Sequence, residues 1–165
     1  MNDPIALFIT WPTFGTWLLG DERGWVELTH GWQLPPPSQD LESLSRMKED
    51  AVILGDLECR IVEKQIVESC KHRRWTVHAI SCRSNHMHLV IRAINTSPKQ
   101  IREALKDWTT RRLKEKSDPN RDQWWAERGS VRWIADLDSL KEAKQYVNST
   151  RQFEKKADSE STNSV

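Results

Sequence analysis

The sequence predicts an α+β fold, a single antiparallel sheet with helices on one face and one extra helix at the C-terminus. Three observations carry this. Strand-like and helix-like segments follow one another in the order strand, helix, strand, strand, helix, strand, helix. Two long segments, 56–73 and 98–116, place apolar residues at helical spacing. Between them, 75–94 holds two β-prone runs around a short polar turn, the pattern of a hairpin.

Residues 5–11, IALFITW, are apolar and β-prone and read as the first strand. The stretch 13–26 follows, a structured loop rich in glycine with a charged DER at 21–23. Pro35, Pro36 and Pro37 make 31–40 a connection that cannot be helix interior. A short helix is expected over roughly 39–49. In the helix at 56–73, Cys59, Val62, Ile66 and Cys70 share one face. Asp56 is placed to cap its start, and the basic KHRR at 71–74 suits its end. WTVHAISC (75–82) and HMHLVIRAI (86–94) are the hairpin strands, joined by RSN. Ser97 is placed to cap the helix at 98–116, with Ile101, Leu105, Trp108 and Leu113 toward the core. SDPNRD at 117–122 breaks that helix, and a loop leads to a short strand at 130–134. Asp138 or Ser139 opens the last helix, about 139–155, which carries Leu140, Ala143, Tyr146 and Val147. The order is that of a ferredoxin-like sheet with an added tyrosine-bearing helix. One domain is expected over 1–155, with a polar, disordered tail over 156–165.

Composition bounds the function. A chain of 165 residues with 30% charged and 37% hydrophobic residues can bury a core without staples. No run approaches the roughly 18 apolar residues of a membrane span, and no signal peptide is visible. Three cysteines without CxxC spacing read as buried thiols, so a reducing, cytoplasmic setting is expected. The net charge of +1 does not advertise a nucleic-acid binder, but basic residues concentrate in 97–116 and 71–74 while acidic ones gather in 39–68. Nine tryptophans and a single tyrosine are both unusual. Tryptophan can stack on nucleobases or fill a core.

Two features can carry chemistry. His86 and His88 alternate with Met87 in a strand, so their imidazoles point the same way and can meet one cation. Two imidazoles leave positions open for a phosphate, unlike a closed structural zinc site. Otherwise they are a hydrogen-bonded pair. Tyr146 is the second feature. Neutral tyrosine, with a pKa near 10, is a poor nucleophile, but a metal that neutralises charge on a phosphodiester lets it attack. Otherwise it is a half-buried side chain of an amphipathic helix.

Together these residues, in SNHMHLVI and AKQYVNSTRQ, resemble the HUH single-tyrosine transposases of the IS200/IS605 type. The opening ITWPTFGTWLLGDERGWV is similar to one IS200-like branch that reads roughly TWxTYGTWLPGDERGW, and WAERGSVRWI resembles that branch before its last helix. The resemblance runs from about residue 5 to 152. It implies that His86 and His88 bind Mg²⁺ or Mn²⁺. It implies that Tyr146 cleaves single-stranded DNA, with hairpin ends as the substrate, giving a 5′-phosphotyrosine and a free 3′-hydroxyl. A homodimer is implied, with neither organic cofactor nor membrane. The family carries a polar residue, usually Gln, about one turn after the tyrosine as a further ligand. This chain has Thr150 four residues on, Arg151 five and Gln152 six, so Gln152 matches in type and departs in spacing. Arg23, Arg111, Arg112 and Trp124 are candidate DNA contacts. A loop salt bridge, a solvated helix face and an interface or core position are the competing roles. Two rival functions are a relative that binds DNA hairpins without cleaving and a phosphoesterase that uses water instead of Tyr146.

Overall fold

The computed structural model describes residues 4–15, 25–27, 31–33, 51–127 and 129–161. The expected helix at 39–49, most of the glycine-rich loop and the last four residues lie outside them. The elements are β1 (Ala6–Pro12), β2 (Trp25–Glu27), β3 (Gly31–Gln33), α1 (Asp56–His72), β4 (Thr76–Cys82), β5 (His86–Arg92), α2 (Pro98–Lys116), β6 (Ser130–Ile134) and α3 (Leu137–Ser161). Four strands form an antiparallel sheet in the order β4-β5-β1-β6, the ferredoxin-like arrangement. The short β2 and β3 pair with each other in a separate ribbon, which the sequence reading did not anticipate.

Both faces of the sheet are covered. On one, Leu7, Ile9, Trp11, Met87, Leu89 and Ile91 meet Val62, Ile66 and Cys70 of α1 and Ile101, Leu105 and Leu113 of α2. On the other, Ala6, Phe8, Ala79, Val90 and Ile134 meet Val147 of α3, with Leu140 and Ala143 alongside. β1 is therefore buried along its whole length, which explains why it reads as an unbroken apolar run and not an alternating one. α1 and α2 share one face, and the extra C-terminal helix takes the other.

The helix ends correct several details. Gly55 is the N-cap of α1; Asp56 lies inside the first turn with Glu58, where negative charge suits the exposed N–H groups. α1 ends in a Schellman motif, with Trp75 N–H donating to Cys70 C=O and Arg74 N–H to Lys71 C=O. The position usually given to glycine is Arg74, at φ 61°. Ser97 does cap α2, in a reciprocal capping box with Gln100. The buried stripe of α2 is Ile101, Leu105, Thr109 and Leu113, strictly four apart, so Trp108 turns outward and is 42% exposed. Arg111 stacks over its ring at 5.0 Å. Asp136, not Asp138 or Ser139, opens α3: its carboxylate accepts from Ser139 N–H and Oγ–H, which holds its pKa below the usual value. The α3 backbone continues to Ser161, past the expected boundary at 155, through residues of good helix propensity such as Glu, Lys and Ala. Of the three cysteines, all free, Cys70 and Cys82 are buried, and burial pushes the Cys70 thiol up to about 12. Among the described residues no helix is long and apolar enough to cross a membrane.

Candidate active site

β5 sorts its side chains by alternation. Met87 and Leu89 enter the core beneath α1 and α2, and His86 and His88 emerge on the α3 face. Both histidines are buried, at 7% and 6% exposure. Their Nε2 atoms lie 2.8 Å apart, and the rings are nearly perpendicular at 82°.

The outward Nδ1 atoms are held separately. His86 Nδ1 lies 2.6 Å from Asn85 Oδ1, and His88 Nδ1 lies 3.0 Å from Thr10 Oγ1. The β1–β5 register makes the second contact, since it sets Thr10 directly across from His88. Partners on Nδ1 fix ring orientation and leave Nε2 for a ligand. Burial first, and then the positive charge of Arg83, lower the His88 pKa to about 4; burial also drives His86 down, followed by coupling to His88 and Arg83. Both rings are therefore neutral near pH 7, the form that binds a cation.

The distance is also suitable. The two Nε2 atoms converge closely enough to be neighbouring ligands of one cation. Among the described residues no third His, Cys, Asp or Glu joins the pair. Two donors that leave the rest of the ion open suit a cation that must touch a phosphate.

α3 brings Tyr146 to this pair. Its ring packs edge-on to His88, with centroids 5.7 Å apart, and tilts against Phe8 at 6.0 Å. Val147, the next residue, is completely buried and anchors the helix, while Tyr146 stays 53% exposed. The nucleophile candidate is thus fixed at its base and open to solvent. Gln152 lies on the same helix, but six residues place it about 120° round the axis from Tyr146.

The other candidates fall elsewhere. Arg111 and Arg112 belong to α2, so the sheet separates them from the histidines. Arg111 pairs with Asp107, and Arg112 bonds to Gln65 of α1 and Glu115. Trp124 is 4% exposed, donates its Nε1–H to Arg121 C=O and fills the core beside Trp125. In this fold it packs in the same core cluster as Trp11 and Trp125 and leaves little ring surface for a base. Trp11 and Trp125 meet edge-on there, and Trp125 Nε1–H is satisfied by Thr109. Arg23 lies outside the described residues.

Sequence reading missed Thr10 and Asn85. Thr10 was visible as the lone polar residue inside IALFITW, and Asn85 as the neighbour of His86. It also left Gly129 of WAERGSVRWI unexplained. A Cβ there would sit 2.7 Å from the Thr10 carbonyl oxygen, so only glycine lets β6 lie this close to the strand that positions His88.

Comparison with known proteins bears on the fold and the family. A solved structure of a REP-associated tyrosine transposase bound to a REP hairpin superposes with TM-score 0.50 at 11% identity, over 89% of this chain and 66% of that one. This chain thus spans just under two thirds of that neighbour's length. A crystal structure of a candidate transposase from Deinococcus radiodurans aligns less well, with TM-score 0.46 at 9% identity over 88% of this chain and 90% of that one. Among curated protein sequences nothing matches the chain. The family model described as "Transposase IS200 like" (Y1_Tnp) matches residues 46–150, a span that holds both histidines and the tyrosine but not the GTWLLGDERGW segment. That match covers well over half of the sequence, and the chain belongs to the IS200-like transposase family.

Proposed function

We propose that the chain nicks and rejoins single-stranded DNA through a covalent 5′-phosphotyrosine on Tyr146. The observation that carries this reading is the packing of Tyr146 against His88 within one chain, next to two neutral imidazoles whose Nε2 atoms converge. His86 and His88 would hold Mg²⁺ or Mn²⁺, and Gln152 is the further ligand by residue type. The cation supplies charge neutralisation at the non-bridging oxygens of the scissile phosphate. The Tyr146 oxygen attacks phosphorus, the P–O3′ bond breaks, and the 3′ oxygen leaves and takes up a proton. Because one phosphodiester replaces another, a later 3′-hydroxyl can reverse the attack and join strands without ATP.

Hairpin DNA ends are the proposed substrate, supported by the hairpin in the structurally similar transposase. A homodimer is compatible with the reading. However, Tyr146 meets His88 of its own chain, so cleavage is proposed to occur within one subunit.

The test uses a labelled single-stranded hairpin with Mn²⁺. An adduct that survives denaturation is expected with the native chain. Tyr146→Phe should lose adduct and cleavage together, by at least about a thousandfold. Cleavage retained by that variant would assign the chemistry to water. Binding without adduct by the native chain would favour a cleavage-deficient relative, a reading motivated by Thr150 standing where a Gln would lie four residues after Tyr146.

A further inference from the structure

The sheet face under α3 carries a polar row that crosses all four strands. Ser81 of β4 pairs with His88 of β5, His88 with Thr10 of β1, and Thr10 with Ser130 of β6. Directly paired residues point to one face, so Ser81 stands beside His88 on the ion-binding side. The polar groups around the histidines are engaged: Thr10 with His88, His88 with His86, His86 with Asn85. Ser81 is different. It is 0% exposed, and its hydroxyl has no hydrogen-bond partner.

An unpaired hydroxyl is costly to bury, and packing alone does not ask for one. Two residues earlier on the same face, β4 carries Ala79, which fills its place against α3 without a polar atom. The only other buried side-chain polar atom without a partner among the described residues, Trp11 Nε1, lies on the opposite face. The one unpaired hydroxyl on this face thus stands in the strand position beside the converging imidazoles.

We propose that Ser81 is an oxygen-bearing member of the ion site, its hydroxyl engaged when His86 and His88 hold a divalent cation, either on the ion itself or on a water bound to it. The proposal rests on the ion site argued above. It places an oxygen group on β4, in the rigid sheet. The tyrosine helix then need not be the sole source of such a group. Ser81 is a positioning residue for the ion and takes no part in bond breaking.

The experiment measures binding of Mn²⁺ alone to the full chain, by calorimetry and by the electron paramagnetic resonance of the bound ion, without DNA. Ser81→Ala should melt at or above the native temperature in EDTA, because it removes an unpaired polar group. Its Mn²⁺ dissociation constant should nonetheless rise at least about tenfold, and the thermal shift given by Mn²⁺ should shrink. Ser81→Cys keeps the volume and is read in the same way if the alanine variant folds poorly. Equal Mn²⁺ affinity in native and Ser81 variants overturns the proposal and leaves the histidine site standing. Equal affinity in a His86→Ala/His88→Ala variant, or no Mn²⁺ binding by the native chain, overturns both.

Discussion

The two faces of one strand behave as two different materials. On the α1/α2 side, β5 presents Met87, Leu89 and Ile91, all completely buried among aliphatic and aromatic neighbours. On the α3 side it presents His86, His88 and Val90, also buried, but with the two rings held by Asn85, Thr10 and each other. Burial is almost equal on the two sides, yet one face spends it on dispersion and the other on fixing nitrogen lone pairs. The lesson is that burial alone does not separate core from site; what separates them is whether buried polar atoms are paired outward and left open inward.

That contrast can be broken by exchanging damage between the faces. Leu89→Ala should lower unfolding free energy by about 2–5 kcal/mol, since it leaves a cavity in close-packed surroundings. At temperatures where it is folded it should still bind Mn²⁺. His88→Ala should do the reverse, abolishing Mn²⁺ binding with a smaller change in denaturant midpoint. Loss of metal binding in the folded Leu89 variant would show that the faces do not work independently.

Acid sharpens the same comparison. An unfolded histidine takes up a proton near 6.5, whereas the folded pair resists it, His88 down to about 4. The unfolded state therefore binds more protons in this window, and metal-free protein should lose stability as pH falls from about 6.5 toward 4. Each buried neutral ring contributes a slope of up to about 1.4 kcal/mol per pH unit. Urea titrations across that range should show the slope in the native chain and a flatter dependence in His86→Ala/His88→Ala. Parallel curves would mean that the histidines are not held neutral by burial.

The smallest effect belongs to neither face. Arg74 occupies a left-handed conformation that costs a side chain about 1 kcal/mol. Arg74→Gly should raise the melting temperature slightly and leave ion binding alone. A fall would mean that the arginine side chain contributes more than its backbone strain costs.

Much of this arrangement was legible from local pattern. Helical spacing located α1 and α2, alternation put His86 and His88 on one face, and element order gave the sheet. The errors share a cause. Trp108 and Thr109 compete for the inward position on α2, and an i, i+3, i+4 pattern admits either; only packing against Trp125 selects the threonine. Trp124 looked available for stacking because a loop tryptophan carries no local mark of what covers it. Thr10, though conspicuous as a polar residue in an apolar strand, and Ser81 could not be assigned to the site for a stricter reason. Their roles come from strand register, which joins residues 78 positions apart in one case and across a hairpin in the other. For Thr10 no local window contains that information, and for Ser81 the hairpin pattern leaves the exact register open. Asp136 was missed by a shift of two residues, within the ordinary uncertainty of a helix start.

The close approach of the two Nε2 atoms has a consequence for how the site is armed. Two neutral nitrogens at 2.8 Å need a proton between them. With His86 Nδ1–H donating to Asn85 Oδ1, that proton sits on His88 Nε2, and Thr10 donates its hydroxyl to His88 Nδ1. Freeing both Nε2 atoms then moves the proton to the far side of the same ring, where the Thr10 oxygen can accept it. A cation held by both Nε2 atoms would then call for the other tautomer of His88, with Thr10 changing from donor to acceptor.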